Sequence, residues 1–211
     1  MKLRIALLSL LALCLVALPA VADTIYDNGA INGTTDAWTI NFGFIVSDTF
    51  TVGGSGATVT GLNFGAWVFP GDVLLNAEVS ITSSEFGGTT YFDGVVNFTQ
   101  SGCSGNQYGY NVCTESGSFS GPSLGAGSYW LNLQNAVVND GDPIYWDENS
   151  GASSASENSV GTVPSEAFTV LGTTSGGTSS TGGGTVPEPS SIMLFGSGIL
   201  GLAGVLRRKL F

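Results

Sequence analysis

The chain has no histidine and only five Lys and Arg residues in 211. Lys2 and Arg4 stand at the N-terminus, and Arg207, Arg208 and Lys209 at the C-terminus. No cationic side chain lies between Ile5 and Leu206. Without histidine there is no Ser-His-Asp triad, no Cys-His pair and no His-based zinc site. Without an internal lysine there is no Schiff base and no cationic phosphate clamp. The Gly clusters are not phosphate loops, because none is followed by Lys-Ser/Thr. Nucleic acid is excluded as a direct partner, since binding it depends on cationic side chains. A glycosidase needs only two carboxylates, but no spacing among the acidic residues singles out a pair. No catalytic residue is assigned, and the chain is read as non-enzymatic. A secreted carbohydrate-active hydrolase using paired carboxylates is the alternative.

What is present is negative charge. All 16 Asp and Glu residues fall between Asp23 and Glu188, so that region carries a formal charge of −16. Such a field favours cations and opposes compaction unless something screens it. The segment Asp140-Gly-Asp142-Pro-Ile-Tyr-Trp-Asp147-Glu148-Asn crowds hard oxygen ligands of the kind Ca2+ prefers. Asp140, Asp142, Asp147 and Glu148 are therefore the candidate metal ligands, with Ca2+ as the one cofactor considered. The spacing is not that of an EF-hand, and a solvated turn before an edge strand is the plainer reading. Cys103 and Cys113 are expected to pair as a disulfide in an exported chain, two free thiols being the alternative.

The ends carry the targeting information. Lys2 and Arg4 precede the apolar stretch Ile5–Leu18, and Ala20-Val21-Ala22 supplies a small-residue cleavage site. Residues 1–22 read as a signal peptide for signal peptidase, with an uncleaved anchor or a lipoprotein at Cys14 as lesser readings. At the other end stand Pro187-Glu188-Pro189, the apolar run Ile192–Leu206 and Arg207-Arg208-Lys209. The basic cluster is expected to stay cytoplasmic, and the short apolar run to be a transmembrane helix. This order of triplet, Gly-containing apolar helix and basic cluster resembles the PEP-CTERM sorting signal. The resemblance implies recognition by an exosortase, membrane anchoring through the C-terminal helix before processing, and an end point at the cell surface or in an exopolysaccharide matrix. It implies no activity for the outer domain.

The middle reads as strands. Trp38, Ile40, Phe42 and Phe44 alternate with polar or small residues, as do Leu75, Ala77, Val79 and Ile81, and then Tyr129, Leu131 and Leu133. Further runs span 59–69, 92–99, 144–146 and 167–171. Gly- and Pro-containing turns separate them, among them Gly53-Gly54-Ser55-Gly56, Pro70-Gly71-Asp72 and Asp140-Gly141-Asp142-Pro143. Residues 23–171 are expected to form an all-β, antiparallel, jelly-roll-like β-sandwich, with a barrel as the alternative. Residues 172–185 are only Gly, Thr and Ser, which describes a tether; 186–211 is the sorting signal. Alternation sets Trp130, Asn132 and Gln134 on one face of a strand. They are the candidate carbohydrate face toward exopolysaccharide, with core packing of Trp130 as the alternative.

Overall fold

A computed structural model describes residues 22–175. The signal peptide, most of the tether and the sorting signal lie outside the described residues. Among the described residues no helix is long and apolar enough to cross a membrane.

Thirteen strands make one antiparallel sheet. They are β1 Asp23–Asp27, β2 Ala37–Thr39, β3 Ile45–Val52, β4 Ala57–Val68, β5 Leu74–Ser84, β6 Gly87–Gly105, β7 Asn111–Ser118, β8 Ser123–Leu124, β9 Gly127–Val138, β10 Tyr145–Asp147, β11 Ala155–Glu157, β12 Gly161–Val163 and β13 Phe168–Thr174. The main path runs β1-β13-β4-β7-β6-β5-β9-β3-β11-β12, with β10 joining β2 and β4 and β8 joining β4. The 19-residue β6 is the joint. Its first half pairs with β5, ending at Asn97↔Asn76, and its second half pairs with β7, beginning at Phe98↔Gly117. β6 therefore carries the sheet from one half to the other, with register shifts on both sides of the joint, and the sheet curls into a half-barrel. The expected all-β antiparallel class is present, with the two halves joined through β6.

The period-two pattern puts one set of side chains inside the curl. Phe50 and Val46 of β3, Leu62 and Phe64 of β4, Val79 and Ile81 of β5, Leu131 and Leu133 of β9 and Phe168 of β13 belong to a single buried cluster. Trp146 sits at its centre, edge-on to Phe64 at 6.0 Å and to Phe168 at 5.5 Å. Across the curl, Tyr26 of β1 approaches Phe50 of β3 at 6.2 Å. Rings of this size bury about 150–250 Å² each and dominate the interior.

Two local expectations change. The run Trp38–Phe44 is not one strand: β2 ends at Thr39. Phe42 and Gly43 both have positive φ, 57° and 88°, and Phe44 N–H donates to the Asn41 carbonyl at 3.1 Å. That is the signature of a type I′ turn, and it leaves the Phe42 ring 64% exposed. At the C-terminal end β13 runs past Leu171, pairing Gly172, Thr173 and Thr174 with Val59, Thr58 and Ala57. The first residues of the expected tether are thus the last rungs of the sheet.

Candidate functional site

The four expected metal ligands do not meet. Asp147 lies in β10, between β2 and β4, and is fully buried. Its carboxylate accepts from the backbone N–H of Asn32 at 2.8 Å and of Gly33 at 3.0 Å, and from Trp67 Nε1 at 2.6 Å. Glu148 accepts from Trp38 Nε1 at 3.0 Å. Both serve to fasten the 28–38 segment. Asp140 and Asp142 stay in the exposed turn after β9, where they gather with Asp72 from the turn before β5.

The expected carbohydrate face is closed at its middle residue. Asn132 is only 2% exposed. Its Oδ1 accepts from Ser47 Oγ at 2.6 Å, and its amide donates to Thr82 Oγ1 at 2.9 Å and Ser80 Oγ at 3.1 Å. Gln134 donates to Glu78 at 2.7 Å, and Trp130 is half-buried. β9 is a central strand flanked by β5 and β3, and alternation along a strand cannot say whether its outer side is covered. Cys103 and Cys113 form the expected disulfide, across β6 and β7.

An aromatic shelf stands at a place for which no candidate was expected. The β6–β7 hairpin tip carries Tyr108 and Tyr110. Tyr108 stacks on Trp67 with ring centroids 5.5 Å apart and planes 22° apart. Tyr110 contacts Trp67 at 5.9 Å, Phe69 at 4.9 Å and Tyr145 at 5.5 Å. Trp67 and Tyr145 are cross-strand neighbours, which fixes them on one face. The Trp67 indole is further held by its bond to Asp147. Asn106 organises the tip, its Oδ1 accepting from the N–H of Tyr108 at 3.0 Å and of Tyr110 at 3.1 Å. The outermost ring is Tyr108, 55% exposed. Asp36, Ala37, Trp67, Tyr110 and Tyr145 line a cavity of about 120 Å³. A polar cleft of about 340 Å³ lies on the other side of the tip, lined in part by Asn32, Thr34, Asn106 and Gln107. The sequence signal was Gln107-Tyr108-Gly109-Tyr110, aromatics inside a polar disulfide loop rather than in an alternating strand.

With the geometry in place, comparison with known families adds the C-terminal end. Residues 185–209 match the family model of the PEP-CTERM protein-sorting motif. The chain carries a PEP-CTERM sorting signal. That motif implies export, membrane-anchored transit and exosortase processing. No curated protein matches the chain.

Electrostatically the outer domain is one-sided. Burial pushes the Asp48 carboxyl up to about 6, opposed by hydrogen bonds from Glu166 N–H, Ser153 Oγ and Thr49 N–H. Burial pushes Glu115 up to about 8. Glu166 is raised well above the usual carboxylate range by burial first, then by the charges of Asp48, Glu148, Asp147 and Asp36. The carboxyl oxygens of Glu115 and Glu166 are buried and have no hydrogen-bond partner. Every resolved carboxylate shift is upward, as expected where nothing positive stands nearby.

Proposed function

We propose that the chain is a non-enzymatic exported protein of the cell surface or extracellular matrix, whose outer domain binds exopolysaccharide at the aromatic shelf. The observation that carries it is the sorting motif at 185–209 behind a folded all-β outer domain. The signal peptide at 1–22 and the C-terminal helix belong to the same reading. So does a jelly-roll-like sandwich character, the two halves of the curled sheet packing against one another through their shared core.

The shelf has the chemistry that sugars require. The exposed face of Tyr108 offers a flat apolar surface to the C–H face of a pyranose ring, and its backing by Trp67 keeps it rigid. Asp36 and Gln107 are exposed beside it, and Asn106 half-exposed, as hydrogen-bond partners for hydroxyls. The non-enzymatic reading takes the two unpartnered glutamates as buried structural groups. Glu115 and Glu166 are fully buried, and neither lines either cavity beside the hairpin tip.

Two experiments test the two halves. Deleting Val186–Phe211 should abolish the processed mass and redistribute the protein; unchanged mass and location would refute the targeting. Affinity electrophoresis against host exopolysaccharide should show retardation that Tyr108→Ala weakens about tenfold or more, the scale of a stacked aromatic anchor. Turnover of that polysaccharide, lost on changing one Asp or Glu, would instead establish the hydrolase.

A further inference from the structure

The turn Pro70-Gly71-Asp72 joins β4 to β5, and the turn Asp140-Gly141-Asp142 follows β9. Antiparallel β5 and β9 bring these turns together from distant parts of the sequence. Just beneath them Val73 and Asn139 exchange two bonds. Asn139 N–H donates to the Val73 carbonyl at 3.1 Å, and Val73 N–H donates to Asn139 Oδ1 at 2.9 Å. The backbones that bear the acids are therefore held in register.

Each acid is also fixed by its own loop. Asp72 N–H donates to the Phe69 carbonyl at 3.0 Å, and its carbonyl accepts from Gln100 Nε2 at 3.0 Å. Gly141 takes a positive φ of 88° and donates to the Val138 carbonyl at 3.2 Å. The Asp142 carbonyl accepts from Asn41 Nδ2 at 3.0 Å. Carboxylate oxygens of Asp72, Asp140 and Asp142 all lie within 4.8 Å of one another.

Acidic turns are common and mean little alone. Here a second observation separates this one. Asp72 is only 5% exposed, and its Oδ2 is buried with no hydrogen-bond partner. A carboxylate shut away from water beside two other carboxylates, with one oxygen that no N–H or hydroxyl reaches, is a group lacking its counterpart. A cationic counterpart cannot come from the domain, because residues 23–188 contain no Lys, Arg or His.

We propose that Asp72, Asp140 and Asp142 bind a divalent cation, and that the oxygen-only donor set selects Ca2+. Ca2+ takes oxygens at about 2.3–2.6 Å, so two ligands on opposite sides of one ion stand about 5 Å apart. The span of the three carboxylates fits within that. Asp140 and Asp142 are exposed, which leaves room for water to complete the shell. Mg2+ demands a smaller, near-ideal octahedron and gives up its waters reluctantly. The ion would tie the β4–β5 turn to the β9–β10 turn, and those turns frame the aromatic shelf: Tyr145 is three residues beyond Asp142, and Phe69 three before Asp72. The cation site does not depend on what occupies the shelf.

The test uses the full chain in detergent, stripped with EDTA and desalted. Calorimetric titration with CaCl2 should show one ion per chain. The melting midpoint should rise by about 5 °C or more at a hundredfold excess over Kd. Asp72→Asn and Asp140→Asn should each weaken binding about tenfold or more, while Asp93→Asn, exposed on the outer face of β6, should not. Asp72→Asn should melt at or above the parent in EDTA, because it removes a charge that has no partner; this shows that the variant folds. Absence of a heat and of a melting shift would overturn the site. So would full binding by both Asn variants, and Mg2+ binding as tightly as Ca2+ would overturn the selection.

Discussion

Glu115 offers the sharpest quantitative test of how this domain is held together. It lies in β7, paired with Phe64 of β4 and Gln100 of β6. Cross-strand neighbours share a face, and Phe64 is core, so the carboxyl points inward. No donor reaches it, and burial raises it from 4.5 to about 8. The sign follows from proton counting. Between those two values the native state holds a proton that the unfolded state has released, so stability falls as pH rises. Each pH unit removes up to ~1.4 kcal/mol, and the whole window up to ~5 kcal/mol. That is a large share of the ~5–15 kcal/mol of a typical domain. Glu115→Gln keeps the shape and removes the titration. Thermal melts of both proteins at pH 5, 6, 7 and 8, with EDTA present, measure the effect. The parent should melt progressively lower toward pH 8. The variant should lose the part of that slope that Glu115 supplies; Glu166, also raised by burial, keeps a downward slope in both proteins, and Asp48 and Asp72, raised to about 6, add to it mainly near pH 6. At about 2–4 °C per kcal/mol the two curves should separate by on the order of 10 °C at pH 8. Parallel curves from pH 6 to 8, or a parent that stabilises toward pH 8, would refute the reasoning.

Three further outcomes are expected. Reducing the Cys103–Cys113 bridge, which closes a separation of 10 residues, should cost about 3 kcal/mol, read as a drop of several degrees in the melting midpoint with dithiothreitol. Phe42→Gly should raise the midpoint by about 2–4 °C, because a bulky exposed ring is held at positive φ at a cost of about 1 kcal/mol or more; a lower midpoint would show that the ring packs usefully. Asp147→Ala removes the acceptor of two backbone N–H groups and of the Trp67 indole, and should destabilise the domain by about 3 kcal/mol or more while changing the tryptophan emission.

How much of this was legible depended on range. The confinement of cations to the two ends is a property of the linear chain, and it led directly to the sorting signal that the family comparison confirms. The strands around Val79, Leu131 and Phe168 were readable because alternation is local. The turn at Phe42-Gly43 was hidden by that same alternation: two phenylalanines spaced as if for one face turned out to bracket a reversal. Asn132 was read as open because strand period gives two sides but not which is covered, and Ser47, Ser80 and Thr82 arrive from other strands. The metal quartet failed for a similar reason. Asp147 and Glu148 are near Asp142 in sequence, but β10 carries them inward, while the true neighbour, Asp72, is brought by the pairing of β5 with β9. The shelf depends on a hairpin tip folding back onto Trp67, which no local spacing announces.

The length of β6 has a consequence for how the outer domain behaves under stress. One strand supplies rungs to both halves of the curl, so neither half has a complete border of its own. A proteolytic nick near Asn97 would strip an edge from each at once, and heat or pulling force should find one all-or-none transition where two stacked sheets could have peeled apart in turn.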